Sequence, residues 1–210
     1  ILPASAHYWW SLYIDVGYGP KHGADDSIIY LRKAADLGNA KAQYEVAELL
    51  MKIQDDSSHS VRLKVTDKMR VCAINQIYPD AEAALMASVT ESSEKNYKLA
   101  LIYTHQGVKA GDDTSAHIAG KVFYSQNPNS RHKQWGITED KERSRRYEII
   151  SDYLTRRAHL KPELNVHDLD EIVPLPPAKL PSWDGKIAIQ RFEEGPAPAK
   201  PSDELVRRLA

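Results

Sequence analysis

Eight histidines are the side chains in this sequence most able to ligate a metal or move a proton near neutral pH. Their spacing speaks against both. His105 and His117 stand twelve residues apart, and His159 and His167 stand eight apart with Pro162 between them. A zinc-binding helix needs imidazoles at i and i+4 so that both face one ion, and no pair here has that spacing. We read the histidines as surface or packing residues. Cys72 is the sole cysteine, which leaves no internal disulfide and no thiolate metal site. Its setting, Val71-Cys72-Ala73-Ile74, predicts a buried, inert thiol. Gly17 and Gly19 lead into Pro20 rather than a helix start, so they make no phosphate cradle, and no Gly-x-Ser-x-Gly elbow occurs. The expectation is a chain that is not an enzyme and needs no cofactor or metal.

Bulk properties narrow the class further. With 210 residues, 42% hydrophobic and 27% charged, the chain can bury a sizeable core as a globular protein. Lys and Arg number 28 against 29 Asp and Glu, a net charge of −1, so no basic field points to nucleic acid. No apolar run approaches the roughly 18 residues that would cross a bilayer.

The elements that could present a surface are helical. Asp25 and Asp26 favour a helix start; Ile28, Leu31, Ala34 and Ala35 then recur at helical spacing until Gly38, which predicts a left-handed cap. Asn39 can cap a second helix whose inward face is Ala42, Val46, Leu49 and Leu50. This hairpin, Asp25 to Lys52, cannot bury its own apolar face and needs stacked neighbours. Before it, Tyr8-Trp9-Trp10-Ser11-Leu12-Tyr13 is expected to cover the open end, followed by a loop from Gly17 to Gly23. After it, Asp55 to Ser60 reads as a loop, and Val71, Ile74, Ile77 and Tyr78 mark a helix ending before Pro79. Asp80-Ala81-Glu82-Ala83 then repeats the cap and paired alanines of Asn39-Ala40-Lys41-Ala42. Tyr97 to Tyr103 is a further helix, and Lys109-Ala110-Gly111-Asp112-Asp113 is a looser echo of the Gly38 turn.

From about Ser125 the character changes. Gln126 to Ser130 reads as a loop, and Arg131 to Gly136 leads into a helix capped by Thr138. That helix has Tyr147, Ile150 and Leu154 on one face and Arg143, Arg145, Arg146, Arg156 and Arg157 on the other. Residues 131–161 carry nine Lys/Arg against five Asp/Glu, whereas residues 162–194 carry three against seven. Either the later segment packs back on the helix with complementary charge, or the arginines form a patch for an acidic partner; nucleic acid is a weaker third reading because few aromatics interleave. Val173 to Pro181 holds four prolines in nine residues and is expected to run extended. Asp184-Gly185 predicts a turn, Lys186 to Ile189 a short strand, and Ser202 the cap of a last helical turn carrying Leu205, Val206 and Leu209, after a spacer with Pro196, Pro198 and Pro201. Trp183, set among prolines, either anchors its segment by burying the ring or serves as a contact for a partner.

The run Tyr30-Leu31-Arg32-Lys33-Ala34-Ala35-Asp36-Leu37-Gly38-Asn39-Ala40-Lys41-Ala42-Gln43 resembles the Sel-type repeat, a short relative of the tetratricopeptide repeat. Its aromatic-x-x-Lys-Ala-Ala-x-x-Gly-x-x-x-Ala-Gln pattern is matched position by position, although the usual Gly-x-Gly-Val connector is missing between Leu50 and Leu63. The segment from Leu169 to Gly185 resembles an uncharacterised C-terminal domain that follows Sel-type repeats in proteobacterial proteins. Proteins of that general type serve as immunity proteins to type VI secretion phospholipase toxins.

The resemblance implies a mainly α solenoid of Sel/TPR-like hairpins over residues 1–124, with a C-terminal helix and an extended proline-rich region over 125–210 packing on it. It implies a protein that neutralises a phospholipase effector by occluding its active site; a periplasmic Sel-repeat scaffold is the alternative. It further implies a periplasmic protein, with an N-terminal signal or lipoprotein segment expected to be missing from this chain, which starts at Ile1. The partner is thus expected to be a toxin protein, with no nucleic acid and no integral membrane segment. The residues expected to meet it are Tyr18, Tyr103, Tyr124, Arg145, Trp183 and Asp184.

Overall fold

A computed structural model describes residues 3–18, 23, 25–77, 79–124, 135–160, 164–196 and 200–209. The loop expected around Pro20 to His22, Tyr78, residues 126–134, Pro162 and Pro198 lie outside the described residues. The fold is all α: α1 (Ala4–Asp15), α2 (Asp26–Asp36), α3 (Ala40–Lys52), α4 (His59–Ile74), α5 (Ala81–Ser93), α6 (Tyr97–Lys109), α7 (Asp113–Phe123) and α8 (Lys141–Arg156) pack mainly on their sequence neighbours. Short α9 (Leu169–Ile172), α10 (Ala188–Glu194) and α11 (Asp203–Leu209) follow. This is the serial arrangement of a helical-hairpin solenoid. Among the described residues no helix is long and apolar enough to cross a membrane.

One turn recurs between helices. Gly38 has φ +92°, its N–H donates to the Ala35 carbonyl at 3.0 Å, and Asn39 N–H donates to that of Ala34 at 2.9 Å. Gly111, φ +86°, makes the same pair of bonds to Val108 and Gly107 through its own N–H and that of Asp112. These are left-handed helix ends in which two otherwise orphaned carbonyls are satisfied. The next residue then caps the following helix: Asn39 accepts the Ala42 N–H at 2.8 Å and Asp112 the Ser115 N–H at 2.6 Å, and Asp80, which follows Pro79 instead of a glycine, accepts the Ala83 N–H at 2.8 Å in the same way. Small side chains bring the helices close, and Ala34, Ala42, Ala47, Ala84, Ala100, Ala116 and Ala119 are completely buried.

Two compact clusters serve α1 to α6, and a larger one runs from Ala100 to Ile187 and so joins α6, α7 and α8 to the C-terminal segment. In it Phe123 stacks on Tyr147 with centroids 5.9 Å apart, and Tyr97 stacks on Trp135 at 6.1 Å. Val166 N–H reaches the Lys109 carbonyl at 2.9 Å, bringing the chain after α8 back beside the α6–α7 turn.

Several expectations are corrected. The supposed loop Asp55 to Ser60 holds a single 3₁₀ turn, Asp56–Ser58, and then the start of α4 at His59. Asp55 organises it by accepting from Ser57 and Ser58, whose bonds hold its carboxyl down at about 2. Helix α4 stops at Ile74, and Ile77 is exposed. Cys72 is exposed rather than buried, because α4 turns Arg62, Thr66 and Ala73 inward instead. Ile28 and Leu49 likewise face outward, while Ala34 and Ala47 fill the seam. Of the N-terminal aromatics only Tyr8 is buried; Trp9, Trp10 and Tyr13 stay substantially exposed. Asp140, not Thr138, caps α8, accepting from Arg143 N–H at 2.9 Å. The expected strand at Lys186 to Ile189 is instead the start of α10, where the Gln190 side chain accepts Ile187 N–H at 2.9 Å.

Candidate interaction surfaces

The helix order places the starts of α3 and α5 and the α6–α7 turn at one end of the molecule, beside the first turns of α1. Between them lies a groove of about 610 Å³, walled by Tyr8 and Trp9 on one side and by residues 38–41, 79–82, 110–111 and 164–165 elsewhere. Both capping residues Asn39 and Asp80 line it. Asp80 is only 8% exposed, and burial pushes its carboxyl up. The Ala83 N–H and the charge of Lys41 pull the other way, while Glu82 and Glu45 add to the rise. Tyr8 donates to Glu45 at 2.8 Å, and burial above all holds its phenol protonated. The groove therefore combines an aromatic wall with an acidic floor.

The second surface forms where the C-terminal segment lies on α8. Arg143 donates from Nε to the Pro174 carbonyl at 3.1 Å and from its terminal nitrogens to the Ala178 carbonyl and Asp140. Arg146 donates to the carbonyls of Ile172 at 2.5 Å and Pro181 at 2.7 Å, and to Glu142 at 2.8 Å. Both arginines are buried beneath this segment. The chemistry is direct: a proline-rich segment lacks N–H donors and leaves carbonyls unpaired, and a guanidinium offers five donors in a rigid fork. The segment does pack back on the helix, but carbonyls rather than carboxylates take most of the arginine bonds.

A third cluster looks catalytic by composition. His105, buried in α6, bonds Tyr147 Oη at 2.7 Å through Nδ1 and Asp170 at 2.8 Å through Nε2, and Lys109 also pairs with Asp170. The His105 bond, then that of Lys109, hold the Asp170 carboxyl far below the ordinary range despite partial burial. A general base needs a ring nitrogen facing substrate. Here both are occupied, and Tyr147 is completely buried, so the cluster pins α9 to α6 and α8. Among the described residues no group of His, Cys, Asp or Glu is placed to hold a metal ion.

With these features in view the chain can be set beside known proteins. A family model described as "Domain of unknown function (DUF6396)" matches residues 115–210, from the first turn of α7 onward. The solved Pseudomonas aeruginosa protein PA5086 is 25% identical over 70% of this chain and 51% of its own, with a TM-score of 0.50. The solved immunity protein Pa5087, also from Pseudomonas aeruginosa, is 20% identical over 83% of this chain and 75% of its own, again with a TM-score of 0.50. What they share is the fold. The chain spans about half the length of PA5086. No curated protein matches it.

The residues expected to meet a partner fall into two sets. Arg145, Trp183 and Asp184 are linked through contacts: Arg145 pairs with Glu142, Glu142 with Arg146, and the Arg146 guanidinium lies 5.5 Å from the Trp183 ring centre. Trp183 is partly buried and donates to the Lys186 carbonyl at 2.6 Å, and Asp184 bonds Arg191 at 2.9 Å. Arg145 and Asp184 are both about half exposed. The tyrosines are apart from this set and on different elements. Tyr18 follows α1 and is 76% exposed, Tyr124 ends α7 at 49%, and Tyr103 lies on α6 against the second cluster, partly buried. None of the six lines the groove. The sequence did carry a pointer to it: matching caps at Asn39 and Asp80 put two helix starts at the same end of adjacent hairpins.

Proposed function

We propose that this chain is an immunity protein that binds a type VI secretion phospholipase effector in the periplasm and blocks access to its active site. Likeness in fold to the Pseudomonas aeruginosa immunity protein Pa5087 and to PA5086 is the observation that carries the reading. The surface chemistry supports it: the groove, the half-exposed tryptophans of α1 and the Arg145–Trp183–Asp184 strip are suited to holding a protein. Stoichiometric inhibition needs an interface on the order of 1,600 Å², an area that a stacked helical array can present. In this reading residues 1–124 form a Sel-like array, residues 125–210 brace it, and Tyr18, Tyr103, Tyr124, Arg145, Trp183 and Asp184 contribute contacts. Binding replaces turnover, so no cofactor enters.

The test is co-expression with a phospholipase effector encoded beside this chain, directed to the periplasm. Rescue of growth together with one-to-one co-purification is expected. Unchanged toxicity with no co-purification would sink the assignment.

A further inference from the structure

We propose that the groove receives an arginine side chain from a loop of a protein partner, with the Asp80 carboxylate as counter-ion and Tyr8 and Trp9 as the apolar wall. This rests on the reading of the chain as a protein-binding module and names the chemistry of one contact.

Three observations lead there. Capping alone does not require a charge at position 80, since Asn39 makes the same 2.8 Å bond to the residue three further on with a neutral amide. Asp80 is more than nine-tenths buried, yet only one of its oxygens has a hydrogen-bond donor, Ala83 N–H; the other has none among the described residues. Burial of a carboxylate so poorly paired is costly, and the positive end of α5 offsets only part of that. Finally, among the described residues that line the groove, the one cation beside Asp80 and Glu82 is Lys41; its charge acts on Asp80 but it forms no ion pair with either among the described residues.

A cation with N–H donors meets all three conditions. Arginine fits better than lysine because its flat, weakly hydrated guanidinium lies against aromatic rings while it donates at its edge. A quaternary ammonium would answer the charge but leave the free Asp80 oxygen without a donor. An anion would meet two carboxylates.

The experiment titrates the full chain with the tetrapeptide acetyl-Gly-Arg-Leu-Gly-amide and follows the Trp9 indole N–H and the Ala83 amide by NMR. Saturable shifts of both are expected, with the citrulline analogue about tenfold weaker. Asp80→Asn should abolish binding while retaining the cap, as judged by a melting temperature no lower than that of the unaltered chain. Should that variant fold poorly, Glu82→Gln, at an exposed position outside the cap, should weaken binding about threefold. The proposal falls if the arginine peptide gives no saturable shift, if citrulline or tetramethylammonium binds equally well, or if the carboxylate variants leave the affinity unchanged. Peptide binding without rescue from an effector would remove the immunity reading alone; rescue without peptide binding would remove this one.

Discussion

Two buried arginines show how one residue type resolves a backbone problem. Each guanidinium gathers carbonyls that prolines and irregular chain leave unpaired, and lysine has no planar fork with which to do so. Arg146→Ala would strand the Ile172 and Pro181 carbonyls and should cost about 3 kcal/mol in urea unfolding, with Arg146→Lys recovering less than half of it. The Asp170 carboxyl gives a pH test at the same scale. Its folded value lies below the ordinary 3.8, so its contribution is complete above that value and is lost as acid carries the pH down toward the folded one. Asp170→Asn should therefore lower the melting temperature near neutral pH. It should also make the fall between about pH 4 and pH 2 shallower than in the unaltered chain.

At the scale of elements, the Gly38 and Gly111 turns look alike but should tolerate alanine differently. A Cβ at Gly38 meets nothing within 4 Å, so Gly38→Ala carries only the left-handed backbone cost of about 1 kcal/mol. A Cβ at Gly111 would sit 2.1 Å from the Leu164 carbonyl oxygen, so the returning chain must move. Gly111→Ala should thus cost at least about 1 kcal/mol more than Gly38→Ala by chemical denaturation. Elements with glycine turns, alanine seams and Asn or Asp caps were readable from sequence because each device has a local residue signature. Helix α4 was readable only in its last turns, where Ile74 is buried. Its earlier inward positions Arg62 and Thr66 keep helical spacing but are polar, while Val61, Leu63 and Val65 face out, so there the hydrophobic pattern runs opposite to the burial. Arg62 is held there by the Ile53 carbonyl at 2.8 Å and by Ser58, partners that no periodicity reveals. Lys95 was equally hidden, since it takes a positive φ of 64° where glycine would have announced the turn. Beyond its matching caps the groove was hidden for a third reason: it is assembled from five separated stretches, and only the order of packing brings them together.

For the whole molecule, the decisive fact is that the largest cluster does not end with the helical array. Leu164, Val166, Leu169, Ile172, Val173 and Ile187 close it from beyond α8. A chain stopped after residue 160 would leave Tyr147, Ile150 and Leu154 facing solvent and should lose cooperative unfolding in a thermal melt. Stopping after residue 196 removes α11, whose described side chains are exposed, and should move the melting temperature by no more than about 2 °C. The family match beginning at residue 115 therefore starts inside a core to which α6 also contributes.

The outward-facing Cys72 has a practical consequence. As the sole sulfhydryl, it offers one attachment point for a dye or spin label without any engineering, on a helix that leaves the acidic cleft unobstructed. An oxidant would link two copies back to back through their fourth helices, and each linked copy would keep its cleft open to a guest.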